Sequence, residues 1–578
     1  MISVENILLE QASKHNLAVW QVKMLKPILK VLLQEKKFVE FGNKYPHLHG
    51  IDIVEQVFSY FNIRCETDIS EFENIPAEGA VVLVANHPIG SIDGLALLKT
   101  VACVRPDVKI VANQTLLAIE PLKNLLIAVD NMGGYANCRQ IKEIQAHLEK
   151  NGALILFPSG EVSRISLKGV RDRKWSSGFL RLATKAHASI VPVHVKGRNS
   201  AFFYITSFIS KPLSTYLLVH EMFKQRGKCL KIHIGKCISC STLQDKQLST
   251  EELAKRFRSH IYMIGKGKAG CLDTDAPIAL PQDRASLRAE VESCEKLGIM
   301  PDEKAIYLYR RKNETYSFIL HELGRLREIS FRAVGEGSGR RLDLDIYDNY
   351  YYHLILWDFR NSEIIGAYRF IPTDEFAMNY DLDKLYSYSL FRYGDKMRYV
   401  LEHGIELGRS FIQPKYWKRK GLDYLWHGIG AYLAKYPQCR YLFGPVSISG
   451  ALPLEAKELL VSFYKLHFSP KEQIATSKCP YIVSSENDFA KFGGEDYHEN
   501  FIYLKSMLTN MGCGVPTLYK QYSELCEQGG VEFIDFGVDP DFNNCIDGLV
   551  VVDISKLKPP RYQRYIAPYL QGDIKEAV

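Results

Sequence analysis

No apolar run in this sequence reaches the roughly 18 residues of a membrane-spanning helix, which argues against a helical membrane protein. The first residues, Met1-Ile-Ser-Val-Glu-Asn, have neither the basic nor the apolar region of a secretory signal, so the chain is expected to stay in the cytosol. Thirteen cysteines, an odd number scattered over 578 residues, fit a reducing compartment rather than a disulfide framework. Cys237-Ile-Ser-Cys240 has no second pair and no histidine at zinc spacing, so no metal site is expected. Gly335-Glu-Gly337-Ser-Gly339 lacks the Lys-Ser/Thr of a nucleotide-binding loop and reads as a mobile surface loop. The tyrosine run Tyr347–Tyr352 has no interleaved arginines and offers no nucleic-acid platform. There is no internal repeat and no low-complexity tract.

Acid is scarce in one place. Residues 161–240 hold 15 Lys+Arg against 3 Asp+Glu, whereas the whole chain has a net charge of only +7. That local excess would attract anionic partners, a phospholipid surface, a phosphopantetheine group, an acidic carrier protein or nucleic acid, or else form a solvated basic face. The composition, 46% hydrophobic and 24% charged, is that of a globular protein, and the length calls for more than one core.

Residues 1–75 read as a helical region. Trp20, Met24, Leu25, Ile28, Leu29, Leu32 and Leu33 recur at helical spacing between lysines, a pattern that serves a membrane surface or a packed helix equally well. Residues 76–245 alternate strand and helix. The strand candidates are Val81–Ala85, Val108–Ala112, Ala153–Phe157, Ile190–Val195 and Leu230–Ile234. Helices are expected at Leu95–Cys103, Ile141–Lys150 and Gly178–His187, which together predict an α/β domain on a largely parallel sheet. Ser200–Ser210, aromatic, uncharged and too short to span a bilayer, reads as core, with docking at a membrane interface as the alternative. Residues 246–299, with helices at Glu251–Ile264 and Ser286–Lys296 and Gly/Pro punctuation, read as a helical linker. From 300 to 578 a second α/β domain is expected. Its predicted elements are helices at Tyr316–Arg327 and Leu422–Lys435 and strands at His353–Asp358, Ile364–Phe370 and near Arg398–Leu407.

Two loops carry chemistry in the first domain. Asn86-His87-Pro88-Ile89-Gly90-Ser91-Ile92-Asp93 follows the first strand, and Phe157-Pro158-Ser159-Gly160-Glu161-Val162-Ser163-Arg164 follows a later one. Acyl transfer to a hydroxyl needs a base and a group that orients it, roles that His87 and Asp93 can fill. Gly160 would let backbone amides approach an anion, with Arg164 as its pairing charge. With Val191-Pro192-Val193, these blocks resemble the glycerol-phosphate acyltransferase superfamily, and in detail its hemolysin-like branch. The resemblance implies that His87 is the base, Asp93 its orienting acid, and Gly160, Glu161 and Arg164 the acceptor site. Five residues separate His87 from Asp93 where the superfamily usually has four, and Ser159 stands where it usually has glutamate.

In the second domain, Glu402-His-Gly-Ile-Glu406-Leu-Gly-Arg409 is followed by Tyr416-Trp-Lys418-Arg419-Lys420-Gly421, which opens a helix. Backbone amides at a helix start, with three basic side chains, suit phosphate groups. With Arg327, Phe331, Asp345, Asp348 and Arg369, this half resembles the acyl-homoserine-lactone synthase-like branch of the GNAT acyltransferases. The resemblance implies Glu406 as base with Arg409 beside it, and Arg369 and Asp345 at the acyl site. It implies Arg419, Lys420 and Gly421 on the thioester arm. Taken singly, Arg327, Arg369, Asp345 and Asp348 read as fold-stabilising ion pairs rather than catalytic groups.

Both halves in one chain are similar to the bifunctional ornithine lipid synthases of bacteria. The resemblance implies N-acylation of an amino acid by a 3-hydroxyacyl thioester and then O-acylation of the 3-hydroxyl. Acyl carrier protein or coenzyme A would bring the acyl groups as co-substrate, with no cofactor and no metal. The expected partners are acyl carrier protein, the amino acid and an anionic membrane surface, with the chain peripheral on the inner face of the cytoplasmic membrane and no role for nucleic acid. Two alternatives stay open: a lysophospholipid acyltransferase with a regulatory C-terminal half, and a non-catalytic membrane-binding protein.

Overall fold

The computed structural model describes Pro27 and residues 34–570, apart from 114–115, 117–118, 130–137, 167–168, 210, 239–247, 312–314, 335, 484–491 and 493–495. The amphipathic stretch Trp20–Leu33 thus lies outside the described residues. The chain divides into two units, 1–277 and 278–578.

The first unit is built on seven strands. β1 (Arg64–Glu66), β2 (Val81–Ala85), β3 (Lys109–Asn113), β4 (Leu126–Val129), β5 (Ala153–Leu156), β8 (Ser189–Lys196) and β9 (Cys229–Ile234) form a sheet in the order β1-β9-β8-β2-β5-β3-β4. All pairings are parallel except β8 with β9. A small antiparallel hairpin, β6 (Arg164–Ser166) and β7 (Gly169–Arg171), stands apart. β2 is apolar at every position because helices cover both sheet faces. Val81, Leu83 and Ala85 point into one core, and Val82 and Val84 into the other.

Among the described residues, the helices of this unit are α1 (Glu35–Lys44), α2 (Gly50–Phe61), α3 (Ser91–Ala102), α4 (Cys138–Glu149), α5 (Gly178–Lys185), α6 (Ala201–Ile209), α7 (Lys211–Phe223) and α8 (Thr250–Ile264). The region expected to be helical up to residue 75 therefore also contains β1 and a 3-10 turn, Ile69–Asn74. Ser200–Ser210 is only half core. Phe203 and Tyr204 are buried, but Phe202 and Ile205 face outward.

The stretch 246–299 is divided between the units. α8 is capped by Ser249 and buries Leu253, Phe257 and Ile261 in the first unit's core. α9 (Arg284–Glu292), capped by Asp283, belongs to the second. The helix expected over Ser286–Lys296 stops at Glu292, and β10 begins at Glu295.

The second unit carries an eight-stranded sheet in the order β10-β11-β12-β13-β15-β16-β19-β18. Its members are β10 (Glu295–Met300), β11 (Lys304–Tyr309), β12 (Tyr352–Asp358), β13 (Glu363–Pro372), β15 (Gly404–Ile412), β16 (Tyr441–Ile448), β18 (Val531–Asp539) and β19 (Cys545–Asp553). A side pair joins β14 (Phe391–Tyr393) to β17 (Ala475–Ser477). α10 (Phe318–Arg332) and α11 (Gly421–Lys435) pack on opposite faces of the sheet. The strand expected near Arg398–Leu407 is shifted. Arg398–Glu402 is a one-turn helix, and the extended backbone starts at Gly404.

Candidate active sites

β2 and β5 are adjacent and parallel, with Val84 opposite Leu156, so the loops that follow them leave the same sheet edge. This pairing brings the His87 loop to the Phe157–Arg164 loop, about where open parallel sheets bind ligands. Ser163 N–H donates to the His87 carbonyl at 2.7 Å, and the His87 ring stacks on Phe157 with centroids 4.1 Å apart. His87 Nδ1 lies 3.2 Å from Asp93 Oδ2.

Five intervening residues do not separate the pair, because Asp93 sits in the first turn of α3. Asp93 Oδ2 also accepts from the amides of Ile89 (2.7 Å) and Gly90 (3.0 Å), which folds the loop back on itself. Gly90 makes the bend at φ 122°, a conformation that side chains rarely adopt. Asp93 is fully buried, and His87 keeps 18% of its side chain open, as a base that meets substrate requires.

Gly160 is also left-handed, at φ 63°, but its amide donates to Phe157 O within the turn, so it is not free for an anion. Glu161 is 3.9 Å from Arg164 and 3.4 Å from Arg173. Arg164 stands over the Phe203 ring at 5.3 Å, and burial lowers its pKa.

Asp172 is a residue that the sequence reading passed over, because Arg171-Asp-Arg-Lys174 looks like a surface charge run. It is 1% exposed and accepts from three directions: His87 N–H at 3.2 Å, Ser163 Oγ–H at 2.5 Å and Trp175 Nε1–H at 2.9 Å. Burial raises its pKa against these hydrogen bonds. One carboxyl thus fastens both motif loops. Losing it leaves buried donors unpaired, at about 1–3 kcal/mol each. Asp172→Ala is expected to lower the melting temperature and O-acyl transfer together, whereas Asp172→Asn should keep much of the stability. Equal melting temperatures of Asp172→Ala and wild type would contradict this.

In the second unit the parallel pairing of β15 with β16 covers only Gly404–Glu406 against Tyr441–Phe443, although both strands run on. The strands splay apart just beyond Glu406. A Cβ on Gly444 would collide with the Leu407 carbonyl, so the closed end of the splay needs glycine. Glu406 is 1% exposed. It accepts from Tyr351 O–H and from Ser387 N–H (2.5 Å), and burial raises its pKa. Tyr351, from the run set aside above, is thus a partner of the candidate base.

β15 carries a bulge in which Arg409 and Ser410 together oppose Tyr368, and Arg409 has φ 45°. The bulge redirects Arg409 toward Asp343 (3.3 Å), Asp345 (3.7 Å) and Tyr386 Oη (3.2 Å). Arg369 meets Asp345 at 2.6 Å and Asp348 at 3.2 Å, and Arg327 meets Asp348 at 2.7 Å. Asp348 is buried, yet Arg327 and Arg369 hold its pKa far below the usual range. Burial, with Arg327, lowers the pKa of His353 to about 3, so it is neutral. Asp345, Arg369 and Arg409 thus belong to one buried ionic network with Arg327 and Asp348.

Lys420 caps α11 and Gly421 begins it. Arg419 lines a cavity of about 470 Å³ with Lys415, Tyr416, Arg284 and Arg360. In the loop expected to be mobile, the described residues 336–339 are anchored, since Ser338 and Gly339 donate their amides to buried Glu328.

Asp547, on β19, accepts from Ser447 Oγ–H at 2.6 Å, and burial pushes its pKa up to about 7. The folded state therefore holds a proton that the unfolded chain, with an ordinary aspartate near 4, releases. That contribution to stability is complete below about pH 4 and is lost as the pH rises toward 7. Urea unfolding at pH 5 and pH 8 is expected to show a difference that Asp547→Asn reduces. An undiminished difference would refute the assignment.

Residues 43–269 match the family model described as "Acyltransferase", and 326–427 match that described as "Acetyltransferase (GNAT) domain". The chain is an acyltransferase, with one acyltransferase domain in each half. The C-terminal half is similar to a glycine N(alpha)-acyltransferase of Bacteroides thetaiotaomicron, 26% identical over 310 residues, 51% of this chain and 91% of that protein. The N-terminal half is similar to a lyso-glycine lipid O-acyltransferase of the same organism, 29% identical over 271 residues, 46% of this chain and 97% of that one. An L-ornithine N(alpha)-acyltransferase of Agrobacterium fabrum is 27% identical over 252 residues, 42% of this chain and 77% of that one. No described helix is long and apolar enough to cross a membrane.

Proposed function

We propose that this chain makes a diacylated amino-acid lipid in two steps. In the C-terminal domain the α-amine of the amino acid, ornithine, attacks a 3-hydroxyacyl thioester. A C–N bond forms, the C–S bond breaks, and the amine proton passes by way of Glu406 to the departing thiol. Arg369, Asp345 and Arg409 shape this site, and Arg419, Lys420 and Gly421 hold the phosphopantetheine arm of acyl carrier protein. In the N-terminal domain His87 takes the proton of the 3-hydroxyl as that oxygen attacks a second acyl thioester; a C–O bond forms, the C–S bond breaks, and His87 returns the proton to the departing thiol. Asp93 holds the imidazole, and Gly160, Glu161 and Arg164 border the acceptor.

The observation that carries the reading is the presence of two acyltransferase domains in one chain, one with the His87–Asp93 pair at a parallel sheet edge and the other with buried Glu406 where β15 and β16 part. A lipid-like intermediate explains the fusion, because a tethered second site meets it at an effective concentration on the order of millimolar. The reactions would run on the inner face of the cytoplasmic membrane. A second reading replaces ornithine by glycine. It is favoured by the longer match, 310 residues against 252, to the glycine-named relative.

Mass spectrometry of lipids from a bacterial host that makes neither lipid, expressing this chain and fed labelled ornithine or glycine, tests both readings. Label in a diacylated amino-acid lipid identifies the amino acid. No such lipid, with wild-type protein present, would overturn the proposal.

A further inference from the structure

Four large hydrophobic side chains are exposed among the described residues of the first unit, and three of them fall together: Phe202 (58%), Ile205 (60%) and Ile165 (46%). Phe202 and Ile205 share an arc of about 100° on the outward side of α6 with exposed Ala201. The opposite side is anchored, with Phe203 and Tyr204 buried against Leu217 of α7 and Val162. Ile165 is placed beside this helix by the β6–β7 hairpin. It is paired with Val170, so the two side chains share a face, and Val170 packs on the Phe203 cluster.

The surroundings are cationic. From residue 162 to 220 the chain has ten Lys+Arg and one acid, and that acid, Asp172, is buried. Lys196 and Arg198, just before α6, and Arg173, near the hairpin, are all exposed. Glu161, just before this stretch, is partly exposed and pairs with Arg173, which leaves Lys196 and Arg198 as the exposed cations before α6; apolar side chains beside them fit one partner chemistry, an anionic lipid surface.

The same elements carry the His87 loop. Asn199, at the start of α6, donates its amide to Ile89 O at 3.1 Å, and Leu218 of α7 packs where a side chain on Gly90 would reach. We propose that the outward face of α6 with Ile165 of the β6–β7 hairpin seats the N-terminal domain on an anionic bilayer, bringing the open edge of His87 to the lipid interface. Phe202 and Ile205 enter the headgroup boundary while Arg198 and Lys196 meet the phosphates. This rests on the reading that the acceptor is a membrane lipid.

The test is co-sedimentation of the full chain with vesicles of phosphatidylcholine containing phosphatidylglycerol, and with phosphatidylcholine alone. Wild type should bind the anionic vesicles and bind the neutral ones weakly. F202D/I205D should lower the anionic partition coefficient at least tenfold, and R198A by about fivefold. I69D, an equally exposed site in the same unit, should leave binding unchanged. Unaltered binding of F202D/I205D would overturn the proposal. So would equal binding of wild type to both vesicle types, or loss of binding by I69D. A dimer that only F202D/I205D dissociates, seen by sedimentation velocity with vesicle binding intact, would assign the face to self-association instead. O-acyl transfer to a detergent-dissolved hydroxyacyl acceptor separates the two claims. F202D/I205D should keep it, and its absence from wild type would count against the proposed function whatever the vesicles show.

Discussion

Replacing His87 by alanine is expected to lower O-acyl transfer by about 10²–10⁴-fold, the usual contribution of a positioned base, and to leave the mono-acylated hydroxy compound to accumulate. The geometry gives the reason. Nδ1 faces Asp93 Oδ2 at 3.2 Å, so Nε2 is the nitrogen left for the acceptor hydroxyl. Asp93→Asn separates the carboxylate's charge from folding. Its remaining carbonyl oxygen can still accept from the Ile89 and Gly90 amides and still faces Nδ1, but the negative charge that stabilises the imidazolium formed during proton transfer is gone. Asp93→Asn should therefore melt near wild type and still lose most of the O-acyl step. Chromatography and mass spectrometry of the two lipid products read both variants. Wild-type amounts of diacylated lipid from His87→Ala would dismiss His87 as the base.

Replacing Glu406 should remove both products, because the first step feeds the second. Alanine is the wrong probe taken alone. It would leave Tyr351 O–H and Ser387 N–H buried without their acceptor, costing about 1–3 kcal/mol each. Glu406→Gln keeps the shape and an acceptor oxygen but cannot take the amine proton, so it should stay folded and lose N-acylation. Supplying the synthetic N-(3-hydroxyacyl) amino acid should restore diacylated lipid from Glu406→Gln and not from His87→Ala. Normal N-acylation by Glu406→Gln would rule out Glu406 as base.

Much of the fold is legible along the chain. The apolar runs at Val81–Ala85 and Ala153–Leu156 are central strands, as uninterrupted burial demands. The His87 and Phe157 loops begin where those runs end. The misreadings have local causes. Arg398–Leu407 is apolar enough for a strand, but its first five residues coil into a turn of helix before Gly404. Asp172, amid arginine and lysine, carries every mark of a solvated residue. It accepts from nearby Ser163 and Trp175, but also from the amide of His87, 85 positions earlier in the chain, a contact that only the fold creates. Tyr351 sits in a tyrosine run whose meaning depends on Glu406, 55 residues later.

The sequence by itself determined the central strands of the first domain, which residue types the two sites contain, and that the chain carries two α/β domains. Only the tertiary structure decided that the His87 loop meets the Phe157–Arg164 loop, that five intervening residues still close the His87–Asp93 pair, and that β15 and β16 part beside a buried Glu406. Local periodicity records how each residue is buried within its own element. Strand order, register and the bulge at Arg409 are set by pairings between distant segments, and no window of sequence contains them.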